Sequence, residues 1–149
     1  MSEQRVPLPP ALDELVDDFA SVPARDRLQL LLELSDELPP LPDRYAGHSE
    51  AMEQVHECQS PLFLAVEVDD ERRVHVFFDA PPESPTTRGF AGILHTGLDG
   101  LPADEVLAVP DDAPFRFGLA EAVSPLRLRG MVAMLSRVKR QVRTLLAAA

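Results

Sequence analysis

Cys58 is the only cysteine in the chain and the side chain best suited to covalent chemistry. It stands in Glu57-Cys58-Gln59-Ser60-Pro61, just before an apolar alternating run and not inside one. A lone sulfur forms no intramolecular disulfide, and it supplies too few ligands for a structural zinc or an iron–sulfur centre. Two readings remain, an inert core thiol and a nucleophile. Free cysteines are among the most buried residues, which favours the first. The polar flanks, and a position where a strand meets a loop, favour the second. We therefore take Cys58 as the candidate site.

Four histidines, His48, His56, His75 and His95, raise the question of a metal or of a Cys–His pair. His56 and Cys58 are two apart and would share a face on a strand, but two ligands do not complete a metal site, so no metal is expected. Asp69-Asp70 and Asp111-Asp112 fall in turns, where acids serve turn chemistry. Arg127 is the second candidate. At about 100° per residue, the apolar stripe of the last helix leaves Arg129, Lys139, Arg140 and Arg143 on the wet side, whereas Arg127 sits at the stripe's edge in the first turn, toward the body of the domain. A guanidinium there, beside the free amides of a helix start, would stabilise a thiolate or persulfide anion. The alternative is a structural arginine paired with one of many acids. Gly130, one turn on, permits close backbone approach.

The elements that must position these residues follow from periodicity. Leu12, Leu15, Val16 and Phe19 form one face of a short helix, and a second helix is expected over about 24–38 with a wide leucine stripe, stopped at Pro39-Pro40. Residues 39–47 read as an irregular connector and 48–57 are unclassified. Then the period changes to two: Leu62, Leu64, Val66 and Val68 against Val74, Val76 and Phe78 predict an antiparallel hairpin with a loop of about four residues. Val55–Cys58 is expected to add a short neighbouring strand. Ser84-Pro85 and Ser124-Pro125 each read as a helix start with a serine cap. Short helices are expected near 103–107 and 115–119, and a long last helix carries Leu128, Met131, Leu135, Val138, Val142 and Leu145. The order describes one α+β domain over 1–149, with helices packed on a small antiparallel sheet.

Composition narrows the function. Twenty-five acids against fourteen bases give a formal charge of −11, which argues against general binding to a phosphate backbone, so no nucleic-acid partner is expected. The bases gather at the end, where residues 125–149 hold six and no acid. No run approaches the ~18–20 apolar residues that span a bilayer. Met1–Arg5 opens no leader-like apolar core, and a single free thiol suits a reducing compartment, so a cytoplasmic location away from membranes is expected.

These motifs resemble the SufE family of sulfur-acceptor proteins. Glu57-Cys58-Gln59-Ser60 before an apolar strand is similar to that family's Cys-Gln-Ser motif. Leu30–Leu38 before a proline resembles its second helix, and Thr87-Arg88-Gly89-Phe90 its basic-Gly helix after the hairpin. Ser124-Pro125-Leu126-Arg127-Leu128-Arg129-Gly130-Met131, with Met134, resembles its Ser/Thr-Pro-x-Arg-x-x-Gly signature. The resemblance spans about 12–142. It implies an α+β fold shared with iron–sulfur scaffold proteins of the IscU type, and partnership with a PLP-dependent cysteine desulfurase. Cys58 would accept sulfane sulfur as a persulfide and pass it toward the iron–sulfur scaffold complex, with Arg127 nearby and Gln59, Ser60, Arg88, Gly89 and Gly130 as motif residues. The chain would be a carrier and activator, needing no cofactor of its own. Glu57 stands where the family often has glycine, and an adjacent carboxylate disfavours a thiolate unless it points away.

Two rivals come from other classes. An independent thiol enzyme would use Cys58 with His56 or His75 as base, and needs that histidine within hydrogen-bond reach of the sulfur. An adaptor with an inert thiol would bind through its acidic surface and tolerate Cys58→Ser.

Overall fold

The computed structural model describes residues 6–149, so the reading of Met1–Arg5 lies outside it. The fold is α+β. Two N-terminal helices, α1 (Pro10–Ala20) and α2 (Arg27–Asp36), precede strands β1 (Glu53–Gln54), β2 (Phe63–Val68) and β3 (Val74–Asp79), followed by α3 (Pro85–Leu98), α4 (Ala103–Ala108) and α5 (Pro125–Ala148). The sheet is antiparallel in the order β1-β2-β3. No helix among the described residues is long and apolar enough to cross a membrane.

The leucine and valine periods place the core as expected. Leu12, Leu15 and Phe19 bury one face of α1; Val74, Val76 and Phe78 bury the inner face of β3, where Val76 is opposite Val66 and Phe78 opposite Leu64. Helix α3 is central and packs on α1, α2, α5 and β3, while α5 lies across β2. Between α2 and α3 the backbones approach closely: a Cβ on Gly89 would stand 2.6 Å from the Leu31 carbonyl oxygen, and one on Gly92 2.4 Å from that of Leu34. Any side chain there would drive the two helices apart.

Several local expectations are corrected. The short strand is Glu53–Gln54, not 55–58, because Val55 closes the pairing through one amide bond to Leu62 O (2.8 Å) and the chain then leaves the sheet. His56 and Cys58 therefore share no strand face. The wide stripe of α2 is narrower than the leucines suggest, with Leu31, Leu34 and Leu38 buried and Leu28 39% exposed. Ser84 makes no side-chain cap, whereas Ser124 Oγ accepts from the Arg127 amide at 3.2 Å. The turns at Ala113–Phe117 and Leu119–Glu121 are 3-10. The hairpin loop includes Arg73, with Arg72 in the left-handed region (φ 62°) and Asp69 Oδ1 accepting from the amides of Glu71 and Arg73.

Two cations assigned to the wet side of α5 are engaged. Lys139 is buried, its Nζ donating to Val109 O (2.6 Å) and Asp111 Oδ1 (2.9 Å), because the segment after α4 covers that side of the helix. Arg140, half exposed, pairs with Glu53 of β1.

Candidate functional site

Cys58 occupies the loop that joins β1 to β2. The ends of the loop are fixed by burial of Val55 and Leu62 and by the amide bond between them. Inside it the Cys58 amide donates to Val55 O (3.2 Å), which turns the chain and lays the thiol against α5. Gly130 makes this possible: a Cβ at that position would sit 3.0 Å from Cys58 Sγ and 3.5 Å from its Cα. The thiol is half-buried in consequence.

In front of the sulfur lies an open cleft of about 420 Å³, lined by Cys58, Gln59, Ser60, Arg127 and residues 83–87 at the start of α3. Ser60 Oγ donates to Thr87 Oγ1 (3.1 Å), tying the loop to α3. Both α3 and α5 begin at this cleft, and neither has an acid in its first turn. Their free amides and partial positive charge favour an anion on the sulfur. Arg127 adds a full positive charge, and Glu83, just before Ser84, brings an opposing carboxylate to the lining. Contrary to the expectation that it faces the body of the domain, Arg127 is exposed at the rim of the cleft, and among the described residues its guanidinium has no hydrogen-bond partner.

Against that stands the local environment of the thiol. Burial, then the Glu57 carboxylate, pushes Cys58 up to about 11, with Arg137 pulling the other way. Near neutral pH the resting sulfur is almost wholly protonated, and only the thiolate is the nucleophile. Glu57 does not point away into water alone: its Oε1 is 2.9 Å from Arg137 Nη2. Its carboxyl is held below the usual range, first by its own backbone amide and then by Arg137. Arg137 is the site residue that the sequence reading missed. It stands seven residues after Gly130, two helical turns on, and so on the same face of α5 as the glycine that touches the sulfur.

The structure thus gathers Cys58, Gln59, Ser60 and Arg127 around one cleft and sets Gly130 behind the sulfur. It does not gather Arg88 and Gly89 there. Arg88 Nη1 donates to Ala80 O (2.7 Å) and Nη2 to Ser35 O (3.4 Å), and Gly89 packs on Leu31, so both belong to the α2–α3 junction. Among the described residues no histidine nitrogen is hydrogen-bonded to Cys58. His75 Nε2 is 2.9 Å from Asp69 on the hairpin, and His95 Nε2 is 3.9 Å from Asp99. No group of three or more His, Cys, Asp or Glu among the described residues is placed to hold a metal ion.

Similarity to known proteins extends over most of the chain. An uncharacterized SufE-like protein of Mycobacterium tuberculosis is 57% identical over 136 residues, 91% of this chain and 94% of the relative. A protein of Plasmodium falciparum named cysteine desulfuration protein SufE is 24% identical over 89% of this chain and 53% of its own length. The solution structure of a hypothetical protein from Thermus thermophilus superposes with a TM-score of 0.83 at 40% identity, covering 95% of this chain and 99% of that one. Residues 13–142 match the SufE model, described as an Fe-S metabolism associated domain, and the chain belongs to the SufE family of iron–sulfur metabolism.

Proposed function

We propose that this chain is the sulfur acceptor and activator of a PLP-dependent cysteine desulfurase, with Cys58 as the receiving atom and iron–sulfur cluster assembly as the destination. The observation that carries the reading is the placement of the sole sulfur nucleophile on a tethered loop at a polar cleft, where two helix starts and Arg127 meet. The Plasmodium relative's name, cysteine desulfuration protein, supports it.

The step is thiol–disulfide exchange in form. The Cys58 thiolate attacks the outer sulfur of the desulfurase persulfide; a bond forms between Cys58 Sγ and that sulfur while the desulfurase's own S–S bond breaks. The leaving thiolate departs with the electron pair, the transferred sulfur is now the terminal atom on Cys58, and no net oxidation occurs. A second cysteine in this chain is not required, and having none removes the route by which the persulfide would collapse to an internal disulfide. The helix starts and Arg127 stabilise the product anion. A persulfide that is half-buried is protected from stray reductants and oxidants until a recipient reaches the cleft.

Measuring alanine release by a desulfurase supplied with cysteine tests the role. Adding this chain is expected to stimulate turnover, and Cys58→Ser is expected not to. Stimulation that survives Cys58→Ser would make the thiol inert and leave the chain an adaptor.

A further inference from the structure

Helix α5 presents one continuous face to the cysteine loop and β1, made by Gly130, Met134, Arg137 and Gln141 at steps of four, three and four residues. Gly130 at its start receives the thiol. Two turns on, the Arg137 guanidinium holds two carboxylates, Nε 3.2 Å from Glu53 Oε2 and Nη2 2.9 Å from Glu57 Oε1. Glu53 is in β1 ahead of the loop and Glu57 immediately precedes Cys58, so a single side chain ties the root and the tip of the loop to the helix. Gln141 Nε2 donates to Glu53 Oε1 (2.8 Å) and Arg140 also pairs with Glu53, whereas among the described residues Arg137 alone pairs with Glu57. Arg137 is 20% exposed and Glu57 48%. The contact is therefore firm on the helix side and open to water on the loop side.

We infer that Arg137 is a positioning residue for Cys58: by bridging Glu53 and Glu57 it clasps the cysteine loop onto α5 in the shielded arrangement, and release of Glu57 from this bridge lets the loop open. The inference deepens the acceptor reading and rests on it for its consequence, that sulfur reaches Cys58 no faster than Glu57 leaves Arg137. A planar fork with donors on two edges suits the bridge, and a lysine ammonium would be a single point charge in its place. The pair also sets the charge beside the sulfur. Glu57, with His56 beside it, opposes ionisation of the thiol and Arg137 favours it, with Glu53 and Arg140 neutralising each other on the far side and Arg127 and Glu83 of opposite sign across the cleft. Loss of either partner thus frees the loop and relieves the burial of the thiol, while the charge lost beside the sulfur is an opposing one at Glu57 and a favouring one at Arg137.

That difference provides the test, made on the chain alone. Amide hydrogen exchange at Val55 and Cys58, whose amides are hydrogen-bonded within the loop, and titration of the Cys58 thiol are measured for wild type, Glu57→Gln, Arg137→Gln and the double variant. Each single variant is expected to speed exchange in the loop about threefold to fivefold, the scale of one partly exposed ion pair. The double variant is expected to exchange no faster than the singles. Relieved burial lowers the thiol's pKa in both singles, but Glu57→Gln also removes an opposing charge and Arg137→Gln a favouring one, so the thiol is expected to ionise at lower pH in Glu57→Gln than in Arg137→Gln, a gap that general loosening would not give. Unchanged loop exchange in both singles, additive exchange in the double, or a thiol that ionises no more readily in Glu57→Gln than in Arg137→Gln would overturn the proposal. Should Arg137→Gln fail to fold, Arg137→Lys is expected to give intermediate loop exchange, and wild-type exchange in that variant would overturn it equally. Neither measurement involves sulfur transfer, so its failure leaves the acceptor reading standing, and failure of sulfur transfer leaves the clasp standing.

Discussion

Two glycines from the same family signatures meet opposite fates. Gly89 faces Leu31 on α2, where an added Cβ would meet the carbonyl oxygen and Cγ, both at 2.6 Å. Gly130 faces Cys58, where the nearest atom to an added Cβ is the sulfur itself at 3.0 Å. The first contact is helix backbone against helix backbone inside a buried layer, so nothing can yield without moving whole elements. The second is helix against a loop tethered by two amide bonds, one hydroxyl pair and one half-exposed ion pair, which can yield locally. A scaffold glycine and a site glycine are thus told apart by what a methyl group would strike. The region around α3 is built to stay as it is, and the cysteine loop is built to move.

The largest expected effect concerns the thiol. With Cys58 held near 11, its alkylation rate in the free chain is expected to rise about tenfold per pH unit from neutrality up to that point. A rate that levels off near pH 8.5, where an ordinary free cysteine titrates, would show the loop open at rest. Next comes the packing of α3: Gly89→Ala is expected to cost about 2–3 kcal/mol, read from the denaturant midpoint, since overpacking against backbone cannot relax. Gly130→Ala sharpens the contrast. It is expected to stay within about 1 kcal/mol of wild type, because alanine's better helix propensity offsets the contact, while Cys58 alkylation at fixed pH rises several-fold. If instead Gly130→Ala unfolds the chain and Gly89→Ala does not, the division of roles is reversed.

Smaller effects follow from the charges. Glu53 and Glu57 have carboxyls lowered in the folded state, Glu53 despite the opposing cost of burial and through Gln141, Arg140 and Arg137. A lowered carboxyl contributes stability above its unfolded value of about 4.3 and loses it as pH falls through the folded value. Protection of the loop amides, taken relative to the intrinsic exchange rate at each pH, is therefore expected to fall below about pH 4, and to fall less in Glu57→Gln. Arg127→Ala is expected to leave stability within about 0.5 kcal/mol, since no described side-chain bond is lost, yet to depress sulfur acceptance, with Arg127→Lys restoring little. Arg140→Ala, whose partner Glu53 keeps Arg137 and Gln141, is expected to change stability by no more than about 0.5 kcal/mol and acceptance not at all.

Much of this was legible in the sequence because it rests on periodicity. The stripe Leu12, Leu15, Phe19 and the alternation Val74, Val76, Phe78 have long enough runs to fix a face, and the Cys-Gln-Ser and Ser-Pro-x-Arg-x-x-Gly segments mark the two walls of the cleft. What escaped lacks a period or depends on a partner. A two-residue strand such as Glu53–Gln54 repeats nothing. Lys139 lies outside the apolar stripe and so reads as solvated, and only the fold brings Val109 O and Asp111 over it. Arg137 was legible as a position, two turns from Gly130, but not as a role, because its meaning depends on Glu53 and Glu57 arriving from the sheet. Ser84 shows the converse: the right residue before proline, with its hydroxyl unused as a cap.

The central claim is that Cys58 is where sulfur arrives. Intact-mass analysis after one turnover of a cysteine desulfurase with cysteine, followed by peptide mapping, tests it most directly. The account predicts a gain of one sulfur atom, located on Cys58, removed by reductant and absent in Cys58→Ser. A chain that remains unmodified while the desulfurase turns over normally would contradict it.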